Sequence, residues 1–188
     1  AEVEYEGTGQ PDLILVSDLP LQGGARTRAL QITDAVRAEL RAWKYKAGDH
    51  TIGFRACDNS TASSGRSDPG ACSANATAHA DDDRVIGVIG PLDSSCATIL
   101  IPVLNVAPGG AIPMISPSTT YPCLTRGGAG CDVSEPAKYY PSGDRNYLRV
   151  VANDVLQGAA SAQFLRERGI RRVYVLHDGE AYGVGVAT

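Results

Sequence analysis

Apolar residues along the chain fall into two alternating patterns, and this alternation predicts the fold. Runs that are typical of strands buried on both faces of a parallel sheet lie at residues 12–17, 51–56, 85–89, 111–116, 146–151 and 172–176. Helical spacing of apolar positions lies between them, at residues 26–44, 71–79, 97–106 and 153–168. The order predicts an α/β protein with a doubly wound, Rossmann-like parallel sheet.

Two hydroxyl-rich segments follow neighbouring strands of this predicted sheet. Asp93-Ser94-Ser95 comes after the strand at 85–89, and Ser118-Thr119-Thr120-Tyr121 comes after the strand at 111–116. Ligands of parallel α/β sheets bind outside the carboxyl ends of the strands, so we expect Ser94, Ser95, Ser118 and Thr120 to line one rim. Neither segment contains Lys, Arg or His, so an anion such as a carboxylate would be held by hydroxyls and helix N-termini. Helix capping is the alternative role for the same side chains.

Composition excludes several classes of function. The chain has 188 residues, 43% of them hydrophobic, and a net charge of -4, which fits a soluble globular domain without a basic patch for nucleic acid. It has no apolar run of the roughly 20 residues that a membrane span needs. The three histidines, His50, His79 and His177, are far apart, and no catalytic or metal-ligand constellation is complete. We therefore expect no enzyme activity, no cofactor and no metal.

Five cysteines indicate disulfides and an oxidising compartment. Cys123 and Cys131 bracket a glycine-rich loop and are expected to form one bond. Cys57 pairs with either Cys72 or Cys96 in this interpretation, which leaves one cysteine over. Five free thiols in a cytosolic protein are the alternative.

Four segments together resemble a known family. They are VIGVIGPLDSSCA from Val85, IPMISPSTTYPCLT from Ile112, YLRVVANDVLQGAASAQFL from Tyr147 and RRVYVLHDGEAYGVG from Arg171. In this order they resemble the periplasmic binding proteins of the branched-chain amino acid type, the solute receptors of ABC importers. Members of that family are longer and have two α/β lobes. The resemblance therefore implies a fragment, with a polar tail at 1–11, lobe I at 12–152 and the truncated start of lobe II at 153–188.

The resemblance also implies the ligand-binding residues. Ser94, or Ser95 with a slip of one residue, matches the serine that binds the ligand's α-carboxylate. Ser118 and Thr120 match the positions that hold the amino and carboxylate groups, and Tyr182 matches a tyrosine from the second lobe. The chain would bind a small amino acid-like solute outside the cytoplasm, in the periplasm or at the cell surface, and deliver it to an ABC permease. The alternative is a ligand-sensing extracellular domain of a signalling receptor.

Two departures from the family pattern concern the cleft. The family disulfide joins the loops after strands two and three; Cys57 matches one end, whereas Asp93 stands near the other and Cys96 follows it. The connection at 123–144 is longer than in the family. It is expected to lie beside the cleft and to affect which ligand binds.

Overall fold

The computed structural model describes residues 1–63 and 65–188, and its strands form one sheet. The strands are β1 (Leu13–Leu19), β2 (Lys46–Ala47), β3 (His50–Asp58), β4 (Val85–Ile89), β5 (Met114–Ser116) and β6 (Tyr147–Arg149). Their order across the sheet is β2-β3-β1-β4-β5-β6. All neighbouring pairs are parallel except β2 with β3, an antiparallel pair at one edge. The predicted parallel α/β sheet is therefore confirmed.

Three α-helices connect the parallel strands in the described part of the chain, and two more follow β6. They are α1 (Arg26–Ala42), α2 (Pro69–Ala80), α3 (Ser94–Asn105), α4 (Asp154–Glu167) and α5 (Ala181–Ala187). From β1 the chain moves to β3 on one side of the sheet, and from β3 it moves back across β1 to β4 and then β5. Because crossovers between parallel strands are right-handed, α1 lies on one face of the sheet and α2 and α3 lie on the other. The core contains apolar side chains from both layers, including Ile14, Val16, Val88, Leu100 and Met114. This is the doubly wound arrangement that the alternating pattern predicts.

Helix α3 begins three residues earlier than the apolar spacing predicted. Asp93 is its N-cap: the Asp93 carboxylate accepts a hydrogen bond of 2.9 Å from the backbone N–H of Cys96. Ser94 and Ser95 therefore lie in the first helical turn and not in a loop. The apolar run could not show this, because the first turn of the helix is polar.

The predicted strand at 172–176 is absent from the described part of the chain. Val173, Tyr174 and Leu176 are exposed, and they pair with no other strand. A parallel strand forms only beside a neighbour that supplies its hydrogen bonds. The described residues supply no such neighbour at this end of the chain.

The cysteine pairing differs from both predicted pairings of Cys57. Cys72 on α2 is bonded to Cys96 on α3, with 5.7 Å between their Cα atoms, and Cys57 is a buried free thiol. The two bonded cysteines face each other because α2 and α3 pack side by side. Cys57 instead lies on β3, opposite Asp18 of the neighbouring strand β1. The predicted bond between Cys123 and Cys131 is confirmed.

The acidic N-terminal segment contacts the sheet. Glu4 forms two backbone hydrogen bonds with Phe54 of β3, and its carboxylate accepts two hydrogen bonds of 2.7 Å from Arg37 of α1. These bonds from Arg37 lower the pKa of Glu4. Within the described ranges, no helix has the length and apolar character needed to cross a membrane.

Candidate functional site

A cleft of about 430 Å³ opens at the carboxyl ends of β4 and β5. Six chain segments contribute its walls: the start of α1, the β4–α3 junction, the loop after β5, the segment after β6, α4 and α5. The lining residues are Arg28, Ile32, Leu92, Ser94, Pro117, Ser118, Thr120, Val151, Gln157 and Tyr182. An adjoining cavity of about 630 Å³ shares Arg28, Leu92 and Ser118 with it and includes Ser95. The structure thus brings four of the five predicted residues into one cleft and places Ser95 beside it.

The two hydroxyl-rich segments are joined by buried serines. The Ser94 hydroxyl, 1% exposed, accepts hydrogen bonds of 3.2 Å from the backbone N–H groups of Thr120 and Tyr121. Ser116 at the end of β5 donates to the carbonyl of Pro91 at 2.8 Å and accepts from the N–H of Thr119 at 2.9 Å. Ser94 therefore fixes the position of the neighbouring loop, a role that its loop assignment in the sequence could not reveal.

Ser95 faces the C-terminal segment. Its hydroxyl donates a short hydrogen bond to the Glu180 carboxylate and accepts one of 3.3 Å from the N–H of Ala181. Both of these residues lie at the start of α5. Ser95 thus connects α3 to α5 in this structure, and its hydroxyl is already occupied.

The hydroxyls of Ser118, Thr120 and Tyr182 differ in their hydrogen bonding. The Ser118 hydroxyl has no hydrogen-bond partner among the described residues, although the Ser118 N–H donates to Ser116. The Thr120 hydroxyl is buried and likewise unpaired within residues 1–63 and 65–188. Tyr182 accepts a hydrogen bond of 3.0 Å from the Gln157 side chain across the cleft. Ser118 is consequently the hydroxyl most available to a ligand.

Sequence reasoning missed Arg28. It is exposed on the first turn of α1 and lines both the cleft and the adjoining cavity. The two hydroxyl-rich segments contain no cation, whereas Arg28 lies in the first turn of α1, far from both segments in the sequence. The available signal was its spacing of four residues from Ile32, which places both side chains on one helix face.

The long connection at 123–144 is folded onto α3 and does not line the cleft. Its centre is the Glu135 carboxylate, which accepts hydrogen bonds of 3.0 Å from Tyr121 and 2.5 Å from Tyr139 and pairs with Lys138 at 3.0 Å. Burial together with the bond to Glu135 raises the pKa of Tyr121 to about 12. No residue between 123 and 144 is among those that line the cleft in the described structure. The expected influence of this connection on the ligand is therefore not a direct contact.

Asp154 begins α4 with a buried carboxylate. The residue is 1% exposed, and neither carboxylate oxygen has a well-formed hydrogen bond among the described residues. Its backbone N–H donates to the carbonyl of Thr120 at 3.0 Å, so it lies directly behind the cleft. Burial raises the pKa of Asp154 above its ordinary value, and the nearby Thr120 hydroxyl and Arg149 only partly oppose this rise. The ionised form therefore destabilises the folded state at neutral pH.

We expect Asp154→Asn to stabilise the folded protein at pH 7 by about 1 kcal/mol, because it removes an unpaired buried charge. In the parent, the contribution of Asp154 to stability falls as the pH rises from the unfolded pKa near 3.8 through the raised folded pKa, and this contribution is constant above that. The variant lacks this fall. Urea unfolding from pH 3.5 to 8 measures it, with the exposed Asp144→Asn as the matched control; a less stable Asp154→Asn at pH 7 would contradict the prediction.

No protein-family model matches this chain, and no curated protein sequence does. Solved structures do show its fold. It is similar to a leucine-binding protein, LivK, from Thermotoga maritima, with 22% identity and a TM-score of 0.72 over 93% of this chain and 43% of that one. LivJ from Streptococcus pneumoniae in complex with isoleucine is 18% identical, with a TM-score of 0.61 over 83% of this chain and 38% of that one.

A third similar structure binds a different kind of molecule. It is a solute-binding protein of an ABC transporter from Rhodopseudomonas palustris, in complex with 3,4-dihydroxybenzoic acid, with 15% identity and a TM-score of 0.68. The match covers 93% of this chain and 42% of that protein. The chain thus has the fold of type I periplasmic binding proteins and spans less than half the length of these neighbours.

Proposed function

We propose that this chain is the ligand-binding part of an extracytoplasmic solute-binding protein that delivers a small molecule to an ABC permease. The observation that carries the proposal is the cleft at the carboxyl ends of β4 and β5, lined by Ser118, Thr120 and Tyr182. The neighbours that share the fold are substrate-binding proteins, in complex with an amino acid in one case and an aromatic acid in another. No enzymatic role is part of the proposal.

The proposed lobe boundary supports a cleft that opens and closes. Lobe I comprises residues 12–152 and lobe II begins at 153, with the hinge near Ala152 and Asn153. Hydrogen bonds lie on both sides of this point, from Val150 N–H to the Ser116 carbonyl at 3.2 Å and from Asp154 N–H to the Thr120 carbonyl at 3.0 Å. Both anchors lie on or beside the loop after β5. Movement at the hinge would therefore change the cleft directly.

A thermal-shift panel of amino acids and small carboxylates on the purified full-length protein tests the binding function. A true ligand at about 100 times its Kd should raise Tm by about 3 to 5 °C, since it binds only the folded state. NAD and ATP are the controls and should leave Tm unchanged. A shift with nucleotides alone would contradict the proposal and indicate a nucleotide-binding domain.

Transport is tested separately from binding. Cells that lack the gene should lose uptake of the radiolabelled ligand that the panel identifies, and the gene supplied in trans should restore it. Unchanged uptake together with tight binding would favour the sensory role over delivery to a permease.

A further inference from the structure

Arg28 is the only charged residue that lines the cleft in the described structure. The other lining side chains are hydroxyls, an amide and apolar groups. The adjoining cavity is also lined by the carboxylates of Asp68, Asp93, Asp178 and Glu180. An anionic group therefore suits the cleft, which has one cation and no carboxylate, better than it suits the adjoining cavity.

Arg28 is free to bind a ligand, unlike two other arginines on the same helix. Arg37 is bonded to Glu4 at 2.7 Å, and Arg41 is bonded to Glu6 at 2.7 Å. Arg28 has no acidic partner anywhere in residues 1–63 and 65–188. Its guanidinium donors are therefore not taken up by a carboxylate of these residues.

The neutral donors predicted for an anion are largely occupied. The Ser94 hydroxyl and the N–H groups of Thr120 and Tyr121 are bonded to one another. The Ser95 hydroxyl is bonded to Glu180. The Ser94 hydroxyl only accepts in these bonds and keeps its own O–H donor, but Ser94 is 1% exposed. The more accessible serine hydroxyl is that of Ser118, which borders the same two cavities as Arg28.

The remaining wall is suited to an apolar body. Ile32 and Leu92 pack together beside the cleft, and Val151 lies after β6 on its other side. Contact with these side chains removes apolar ligand surface from water.

We infer that the Arg28 guanidinium and the Ser118 hydroxyl together bind the carboxylate of a small organic ligand whose apolar body contacts Ile32, Leu92 and Val151. This inference rests on the proposed solute-binding function and specifies its ligand class. A guanidinium binds a carboxylate through two parallel hydrogen bonds, so Arg28 determines both affinity and orientation.

Calorimetric titration of the full-length protein tests the inference with matched probes. The acids are L-leucine, 3-methylbutanoate and benzoate, and their neutral-headed counterparts are L-leucinamide, 3-methylbutanamide and benzamide. We expect at least one acid to bind and its amide to bind at least about tenfold more weakly. Arg28→Gln should lower the affinity for the acid by about 10- to 100-fold, whereas Arg28→Lys should retain part of this affinity.

Arg26→Gln is the matched control, because Arg26 is exposed on the same helix turn and does not line the cleft. It should bind the acid like the parent, and circular dichroism should show all variants folded. Acid affinity within twofold of the parent in Arg28→Gln overturns the inference while the solute-binding function stands. Amides that bind as tightly as their acids overturn it as well. Failure of every acid and of the wider panel overturns the proposed function together with this inference.

Discussion

Removal of the bond between α2 and α3 is expected to cost about 3 kcal/mol of unfolding free energy in the variant Cys72→Ala/Cys96→Ala. The bond closes a loop of 24 residues in the unfolded chain, and the chain-entropy relation for that length gives this value. Because α3 carries Ser94 and Ser95 in its first turn, the variant should also bind ligand more weakly. Urea unfolding and the ligand titration measure the two effects.

Cys57→Ala is the matched control for this prediction. It removes a buried thiol that is not bonded in the structure, so it should cost only about 1 kcal/mol. Titration of the unfolded, non-reduced protein should find one free thiol in the parent and none in Cys57→Ala. A gain of free thiols in Cys57→Ala would show that Cys57 is bonded to Cys72 or Cys96, as the sequence had suggested.

The strand and helix order could be predicted because each element carries its own pattern. The run at Val85–Ile89 is apolar throughout, a pattern typical of an inner strand of a parallel sheet, and it ends at Gly90. Ile86 is nevertheless 40% exposed, so one face of this strand is only partly covered. The prediction failed where a partner decides the structure. Residues 172–176 have strand-forming side chains but no neighbouring strand among the described residues, so their intrinsic preference is not realised.

The cysteine pairing could not be predicted for a related reason. Cys57 and Cys72 follow one another near the carboxyl end of β3, and Cys96 lies just after β4, so spacing alone permits several pairs. The choice depends on how α2 packs against α3, which brings Cys72 and Cys96 within bonding reach. Side-by-side packing of two helices leaves no local signal in either helix.

The composition of the candidate site was predicted better than the role of each residue. Hydroxyls at two adjacent strand ends do lie at one cleft, as the sheet geometry requires. The sequence could not show which hydroxyls face the ligand, because that depends on hydrogen bonds between segments that are distant along the chain. The cation could not be predicted from the strand ends, because Arg28 lies on α1, which follows a different strand.

The two serines Ser94 and Ser118 should respond differently to the same substitution. Ser94→Ala is expected to destabilise the protein by about 1 to 3 kcal/mol, because the buried N–H groups of Thr120 and Tyr121 lose their acceptor. It should also weaken ligand binding, since the loop that carries Ser118 is no longer fixed. Ser118→Ala should weaken binding but change stability by less than about 0.5 kcal/mol, because its hydroxyl has no partner among the described residues.

Urea unfolding and calorimetric titration of both variants separate the two roles. Each removes one hydroxyl from a serine of the same cleft, so the loss of side-chain volume is matched. Ser94→Ala with unchanged stability but lost binding would show that the Ser94 hydroxyl contacts the ligand directly, as the family resemblance implied. Destabilisation by Ser94→Ala, with binding partly restored by Ser94→Thr, would show instead that the hydroxyl acts by holding the neighbouring loop in place.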